Sequence, residues 1–177
     1  MNFDHYTIRL IQDGDAEPLF ELFDNNRSRL EDFFQGTMAQ NKTFADTQTY
    51  VASVVKRIAD GVYYPYLIID TANNHIAAFI DVKNIDPRLP KGELGYFVEK
   101  DYQSQGIPSK ALAVICNFYF NERGFNKLFI RTHPSNTAAC RLAEKTGFKK
   151  EGLLRNDYKT TSGVIVDCVY YGKLKGE

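Results

Sequence analysis

The chain has 177 residues, of which 44% are hydrophobic and 25% are charged, and its formal net charge at pH 7 is zero. These totals predict one globular domain over residues 1–177 and argue against a nucleic-acid binder that relies on a broad basic field. No apolar run approaches the roughly 18 residues of a membrane span, and the N-terminal stretch lacks a secretory pattern, so we expect a cytoplasmic protein without a membrane partner.

The first third of the chain predicts a strand followed by helices. The opening residues alternate in the β-rich pattern of a strand, and capping residues at Asp13 to Asp15 precede an apolar set with helical spacing. The predicted elements are a strand over Tyr6 to Gln12, a helix that starts after Asp15, a second helix over Arg27 to Phe34 ended by Gly36, a loop over Thr37 to Lys42 and a helix over Thr43 to Gly61.

The pattern changes at Tyr64, where short runs rich in β-branched and aromatic residues begin. Turn residues between these runs predict tightly connected strands, and two amphipathic stretches ended by glycine predict helices. The predicted elements are strands over 64–70, 75–83 and 92–98, a helix from Gly106 to Gly124, a strand over 127–133, a helix over 136–147, and closing strands over 149–155 and 164–174.

The order of these elements predicts a mixed α/β fold. Short connections make the three middle strands antiparallel neighbours, whereas the strand–helix–strand unit across Gly106 should be parallel and right-handed. We therefore expect a mostly antiparallel sheet with one parallel β-α-β unit and helices on both faces.

Cysteine and histidine spacing predicts neither a metal site nor a disulfide framework. The three cysteines, Cys116, Cys140 and Cys168, are scattered along the chain, and the three histidines lie far apart. Reduced thiols in the cytoplasm are the expected state.

The turn before the Gly106 helix is the clearest candidate site. It holds Gln103, Gln105, Gly106 and Pro108, and the helix begins directly after it. A helix N-terminus presents free backbone N–H groups and the positive end of the helix dipole, and together these bind phosphate. The sequence therefore predicts a phosphate-binding turn.

Two sequence blocks in a fixed order carry the motif signal. The first is Gln103-Ser-Gln-Gly106-Ile-Pro108 before a helix, and the second is Asn136-Thr-Ala-Ala139 followed by Glu144-Lys145-Thr-Gly147-Phe148. They resemble the acetyl-CoA turn and the second block of the GNAT superfamily of N-acetyltransferases. The closing segment from Lys149 also resembles the RimJ/RimL-type group, which acetylates protein N-terminal amines, so the resemblance covers nearly the whole chain.

The resemblance implies an acyltransferase that uses acetyl-CoA as its co-substrate and a primary amine as its acceptor. In that family the pantetheine arm lies along the strand before the turn, where a backbone N–H polarises the thioester carbonyl. The implied acetyl-CoA-binding residues are Tyr96, Phe97, Val98, Gln103, Gln105, Gly106, Ile107, Pro108, Ser109, Lys110 and Asn136.

The chain departs from the family pattern at two places. Pro108 replaces the last small residue of the turn and removes one N–H, although proline is tolerated in a first helical turn. Ala139 and Ala143 stand where the family places a serine or a tyrosine acid, so no side-chain general acid is carried over. The amides expected to remain available are those of Gln105, Gly106, Ile107, Ser109 and Lys110.

Glu93 is the first candidate for the base that takes the amine proton, because it lies a few residues before the implied acetyl position. Asp81 on the preceding strand is the second candidate. The alternative for both is an ordinary strand-face carboxylate paired with a lysine or arginine, since the working pKa of a carboxylate is not readable from sequence.

The resemblance favours a protein or peptide N-terminal α-amine as the acceptor, attacked directly in a ternary complex. The alternatives are a small amine such as a polyamine, aminoglycoside or amino acid, and a non-catalytic acyl-CoA-binding module. An acetylated Cys140 is a further alternative route.

Phe33 and Phe34 are expected to pack in the core more than to contact the acceptor. The resemblance is also compatible with a homodimer.

Overall fold

A computed structural model describes every residue from Met1 to Glu177. The strands are β1 (Asn2–Phe3), β2 (Tyr6–Leu10), β3 (Tyr64–Asp70), β4 (Ile76–Asp86), β5 (Lys91–Val98), β6 (Lys127–Thr132), β7 (Lys149–Lys159) and β8 (Ile165–Leu174). The helices are α1 (Ala16–Leu30), α2 (Gln35–Ala39), α3 (Phe44–Ala59), α4 (Ile107–Asn121) and α5 (Thr137–Lys145), with a 3₁₀ turn over Lys100–Tyr102. None of these helices combines the length and apolar character needed to cross a bilayer.

All eight strands form one sheet in the order β1-β2-β3-β4-β5-β6-β8-β7. Every neighbouring pair is antiparallel except β5 and β6, which are parallel and are connected through α4. The predicted mixed α/β sheet with one parallel β-α-β unit is confirmed.

Each face of the sheet carries its own hydrophobic core. Successive side chains of a strand point to opposite faces, so Tyr66 and Ile68 of β3 pack in one core and Leu67 and Ile69 in the other. Helices α4 and α5 contribute to the first core, and α1 and α3 contribute to the second. The prediction of helices on both faces is therefore confirmed.

The predicted division of the first helical region is wrong. One helix, α1, runs through Asn26 to Leu30, and Gly36 lies inside α2 instead of ending a helix. Asn26 does not break α1 because its side-chain amide donates to the Leu22 carbonyl at 2.8 Å, so its polar atoms are satisfied within the helix. The predicted loop at residues 37–42 is partly helical, because α2 continues to Ala39, and Gly36 is not among the glycines with a positive φ.

Asp15 precedes α1 but does not cap it with its side chain. The carboxylate instead accepts two hydrogen bonds from the Arg9 guanidinium, at 2.6 and 2.7 Å, and one from the Gln12 N–H at 2.8 Å. The predicted capping role of Asp15 is wrong because this ion pair turns the carboxylate back toward β2.

Helix α3 begins and ends as predicted. The Thr43 hydroxyl accepts the Asp46 N–H at 3.2 Å, and the Asp46 carboxylate accepts the Thr43 N–H at 2.9 Å, which forms a capping box. Gly61 follows the helix with a φ of 75°, a left-handed conformation that favours glycine.

Several strand ends differ from the predictions. Strand β4 continues to Asp86 and β7 to Lys159, and the short β1 was not predicted. Asp86 pairs with Lys91 of β5, and Lys159 pairs with Ile165 of β8. Neighbouring strands supply these hydrogen bonds, so the lengths depend on pairing partners instead of on the local alternation of residues.

Candidate active site

A cleft opens in the sheet where β5 and β6 separate. The two parallel strands pair only over Lys91 to Glu93 of β5 and Lys127 to Phe129 of β6. Beyond that point β5 continues to Val98 and β6 to Thr132 without pairing with each other. The β6-facing edge of β5 over residues 94–98 therefore has main-chain groups that a bound molecule can pair with.

The turn at the end of this cleft presents unpaired amides. Gly106 adopts a φ of 74°, and α4 begins at the next residue. The N–H groups of Gly106, Ile107 and Ser109 donate to no atom of the chain. A Cβ at Gly106 would meet no atom within 4 Å, so the left-handed φ, and not crowding, is what favours glycine here.

Three of the predicted turn residues do not line the cleft. Ile107 is 1% exposed in the core beneath α4, and the Gln105 side chain accepts a hydrogen bond from the Tyr6 hydroxyl at 3.4 Å. The Lys110 N–H donates to the Gly106 carbonyl at 3.3 Å, so the prediction of a free amide at Lys110 is wrong. The Lys110 ammonium lies 2.6 Å from the Asp4 carboxylate, which holds it away from the turn.

A polar network fastens the turn to α1. The buried Asn26 side chain donates to Glu99 at 2.5 Å and accepts from Arg29 Nη1 at 2.6 Å. Arg29 Nη2 reaches the Val98 carbonyl at 3.5 Å, at the end of β5. With its amide oriented so that the oxygen faces the guanidinium, Gln103 accepts from Arg29 Nη1 at 3.1 Å. Helix α1 thus fixes the position of the chain that leads into the turn.

The cleft has a volume of about 1040 Å³, at the upper end of sites that hold small molecules. Nine of the predicted site residues line it, namely Glu93, Tyr96, Phe97, Val98, Gln103, Gly106, Pro108, Ser109 and Asn136. Arg141 and Lys145 of α5 also line it and carry no ion pair, so their cations are available to phosphate groups.

Helix α5 forms another wall of the cleft. Asn136 caps it, because its side-chain oxygen accepts the Ala139 N–H at 3.2 Å. The Tyr96 hydroxyl donates to the Ala139 carbonyl at 3.3 Å and so reaches across from β5. Burial raises the pKa of Tyr96 well above its ordinary value, which keeps this hydroxyl protonated.

Glu93 lies at the inner end of the cleft and is held by three hydrogen bonds. Its carboxylate accepts from Asn84 at 2.7 Å and from Arg131 at 2.8 and 3.2 Å, and the residue is 6% exposed. Arg131 also donates to Asp157 at 2.7 Å. Burial lowers the pKa of Arg131, but its bonds to Glu93 and Asp157 outweigh this and leave the pKa raised.

Asp81 is separated from the main cleft and lines an adjoining cavity of about 480 Å³. It accepts hydrogen bonds from the Tyr63 hydroxyl and from the Gly95 N–H, both at 3.0 Å. The Tyr63 hydroxyl lies 3.1 Å from that of Tyr50. Burial followed by the Asp81 charge raises the pKa of Tyr63, so this buried chain of hydroxyls stays protonated at neutral pH.

The paired phenylalanines before α2 have different environments. Phe34 packs edge-on against Phe97, with ring centroids 5.3 Å apart, as predicted for a core residue. Phe33 is 43% exposed, so the prediction that it lies in the core is wrong. Both rings line the cleft and the adjoining cavity, because α2 starts at Gln35 and leaves them in the connection above the sheet.

Four cleft groups were not predicted from the sequence. Lys83, Arg131, Tyr158 and the β7–β8 turn all line the cleft. The Tyr158 hydroxyl accepts the Gln35 N–H at 3.0 Å, so the hairpin reaches over to α2. For Lys83 the sequence did contain a signal. Residues two apart on a strand share a face, so this spacing puts Lys83 on the same face as Asp81, the second candidate base.

The cysteines do not form a reactive or metal-binding group. Cys140 does not line the cleft, although its neighbours Ala139 and Arg141 do. Burial raises the pKa of Cys116 to about 12 and also raises that of Cys168. No group of three or more His, Cys, Asp or Glu side chains is arranged to hold a metal ion.

Comparisons with known proteins agree with this architecture. A family model described as an acetyltransferase (GNAT) domain matches residues 5–149. The chain is 31% identical over 178 residues to YdaF of Bacillus subtilis (strain 168), which is named as a candidate ribosomal N-acetyltransferase, with 98% of this chain and 93% of that protein covered.

Solved structures share the fold over the whole length. Ribosomal-protein-S5-alanine acetyltransferase from Vibrio fischeri has a TM-score of 0.88 at 21% identity, with 100% of this chain and 97% of that chain covered. RimL, a ribosomal L7/L12 α-N-protein acetyltransferase in complex with coenzyme A, has a TM-score of 0.87 at 20% identity, with 97% of this chain and 95% of that chain covered. These likenesses confirm the predicted fold.

Proposed function

The chain belongs to the acetyltransferase (GNAT) domain family, and on that premise we propose that it transfers an acetyl group from acetyl-CoA to the α-amine of a protein or peptide N-terminus. Residues 1–177 act as one catalytic domain in this proposal. The reaction takes place in the cytoplasm, and the acceptor attacks directly within a ternary complex.

One observation carries the proposal: the unpaired edge of β5 and the unpaired amides of the α4 turn lie in the same cleft. A phosphate-bearing ligand with an extended amide-containing arm matches both, since the amides bind phosphate and the strand edge pairs with amides. Pro108 removes one donor, but the N–H groups of Gly106 and Ser109, which line the cleft, are unpaired. The coenzyme A in the RimL structure supports the same ligand class.

When bound, acetyl-CoA supplies an activated acyl group with a thiolate leaving group. The turn amides, together with Arg141 and Lys145, would hold its phosphates. The main chain of Tyr96, Phe97 and Val98 would hold its arm and place a backbone N–H beside the thioester carbonyl. Gln103 and Asn136 support this arrangement through their ties to Arg29 and Ala139.

Glu93 is the proposed base, and Asp81 is the second choice. Glu93 lines the cleft just before the open part of β5, so an acceptor amine in the cleft can reach it directly or through a water. Asp81 faces the adjoining cavity and already accepts bonds from Tyr63 and Gly95, which leaves it a smaller role.

No side-chain acid is needed to complete the proposed reaction. Ala139 and Ala143 carry no ionisable group, and Ala143 is fully buried. A thiol is acidic enough to leave without full protonation in the transition state. The Tyr96 hydroxyl of β5, bound to the Ala139 carbonyl, is a neutral donor in the cleft.

The test is CoA release measured with a panel of amines. A hexapeptide with a free N-terminus should be acetylated, and the same peptide with a blocked N-terminus should not. Intact-mass analysis locates the added acetyl group. Turnover of spermidine but of no peptide would replace the proposed acceptor with a small amine, and binding of acetyl-CoA without turnover of any amine would favour a non-catalytic module.

A further inference from the structure

Lys83 lies at the junction of the cleft and the adjoining cavity and lines both. A Cβ built at Gly95 would come within 2.9 Å of the Lys83 Nζ, so the ammonium stands directly over β5. Gly95 is the residue before Tyr96, where the acyl group is proposed to lie. The ammonium is therefore next to the proposed reacting centre.

The Lys83 ammonium has unused hydrogen-bond donors. Its protein contacts are with one carboxylate, that of Asp81, at 3.4 and 3.5 Å, and with the face of the Phe34 ring, 5.6 Å from the centroid. An ammonium has three N–H donors, and both polar contacts here are long. One third of the side chain remains exposed, and that part faces the two cavities.

The neighbouring groups keep Lys83 charged. Burial lowers its pKa, but the charges of Asp81 and Glu93 outweigh this and leave the pKa raised above its ordinary value. Glu93 is the cross-strand partner of Lys83 on β5. A permanent cation therefore stands beside the path of the acceptor.

The carboxylates near this cation already have hydrogen-bond partners. Asp81 accepts from Tyr63 and the Gly95 N–H, and Glu93 accepts from Asn84 and Arg131. Both oxygens of Asp81 already have partners, whereas all three bonds to Glu93 fall on Oε2 and leave Oε1 for the proposed proton transfer. A polycation needs several free carboxylates, and this pair offers a single free oxygen.

The charged side chains that line the cavity next to Lys83 have a net positive charge. Arg57, stacked 4.1 Å from the centroid of the Tyr63 ring, and Lys83 line it, and Asp81 is its single carboxylate. Asp32 is the one acid of the cleft without an ion pair, but it is exposed, so water screens its charge. An anionic group would be attracted to this cavity and a second ammonium would be repelled.

We propose that Lys83 determines acceptor specificity by binding a carboxylate that the acceptor carries close to its reactive amine. This inference rests on the proposed amine acetylation. The carboxylate is either an acidic side chain near a peptide N-terminus or the α-carboxylate of a free amino acid. Lys83 binds and orients this group and does not itself take part in acetyl transfer.

The experiment compares kcat/KM for C-terminally amidated hexapeptides that differ only at position 2, which is Asp, Ala or Lys, together with free serine and spermidine. The wild type should prefer the Asp peptide to the Lys peptide by about tenfold or more, the scale of one charge-assisted hydrogen bond. Lys83→Met should reduce this preference to less than about threefold, Lys83→Glu should reverse it, and Lys83→Arg should retain it.

Lys56→Met is the matched control, because Lys56 is exposed on α3 and carries no ion pair, so its loss changes net charge by the same amount away from the site. An equal preference for the peptides in the wild type, or an unchanged preference in Lys83→Met, overturns the inference. Preference for free serine over every peptide would identify the α-carboxylate as the bound group.

A separate binding measurement distinguishes this inference from the proposed reaction. If no amine is turned over, the proposed acetyl transfer is refuted. Calorimetric titration of the same peptides into the CoA-saturated protein then still tests the role of Lys83. Tighter binding of the Asp peptide by about tenfold, lost in Lys83→Met, supports the inference, and equal binding contradicts it.

Discussion

Replacement of Glu93 by glutamine separates its proposed role as a base from a purely structural role. The change keeps the shape of the side chain and removes the charge that Arg131 and Asn84 now share at 2.7 to 3.2 Å. Charge-assisted hydrogen bonds are about twice as strong as neutral ones, and Arg131 keeps Asp157 at 2.7 Å, so we expect a loss of about 1–2 kcal/mol in the free energy of unfolding. That corresponds to a fall in Tm of about 2–8 °C.

The catalytic effect should exceed the effect on stability. If Glu93 accepts the amine proton, kcat/KM should fall by about 10² to 10⁴, and the limb of the pH–rate profile that reports the base should disappear. Calorimetry gives the Tm, and CoA release from pH 5.5 to 9 with a peptide acceptor gives the profile.

Asp157→Asn is the control for this comparison, because Asp157 binds the same guanidinium at 2.7 Å without touching the proposed amine position. It should lower Tm by a few degrees and change kcat/KM by less than about threefold. A Glu93→Gln variant that keeps its rate within threefold and its pH profile unchanged would refute the base assignment and leave the ion pair as the role of Glu93.

Three further predictions test the scaffold. A Cβ at Gly95 would overlap the Asp81 carboxylate, so Gly95→Ala should lower both Tm and peptide turnover, whereas Gly152→Ala, where a Cβ meets nothing within 4 Å, should leave turnover unchanged. Thr43→Ala removes the cap of α3 and should cost about 1 kcal/mol, or about 2–4 °C in Tm, without a change in acetyl-CoA affinity measured by calorimetry. The capping bonds from Thr43 lower the pKa of Asp46, so its carboxylate stabilises the fold above its ordinary pKa near 3.9 and ceases to do so as pH falls through the lowered value. The Tm advantage of the wild type over Asp46→Asn should therefore be present at pH 7 and shrink as the pH is lowered below the ordinary carboxyl pKa, and a constant gap would contradict this.

The parts of the fold that local sequence determines were predictable. A glycine that needs a positive φ, followed by a proline and an amphipathic stretch, identifies the Gly106 turn and α4 from neighbouring residues alone. The parallel β5–β6 pair followed from element order and connection length. These features depend on backbone conformation and chain connectivity, which the sequence carries directly.

The charge arrangement beneath the cleft was not predictable in the same way. Lys83 and Glu93 face each other because of the β4–β5 register, and Arg131 reaches Asp157 only because β7 and β8 return along β6. A one-residue change of register would move every one of these side chains to the other face. The site of Lys83 therefore emerges from long-range pairing that no local motif encodes.

The most direct test of the central claim is the Tm of the protein with and without acetyl-CoA. At about 100 times its dissociation constant the ligand should add about 2.7 kcal/mol, which is a rise of roughly 5–10 °C for a chain of this size. ATP at the same concentration should give a smaller rise, because it lacks the arm that is proposed to pair with the open edge of β5. No rise at millimolar acetyl-CoA would contradict the assignment of this cleft as an acetyl-CoA site.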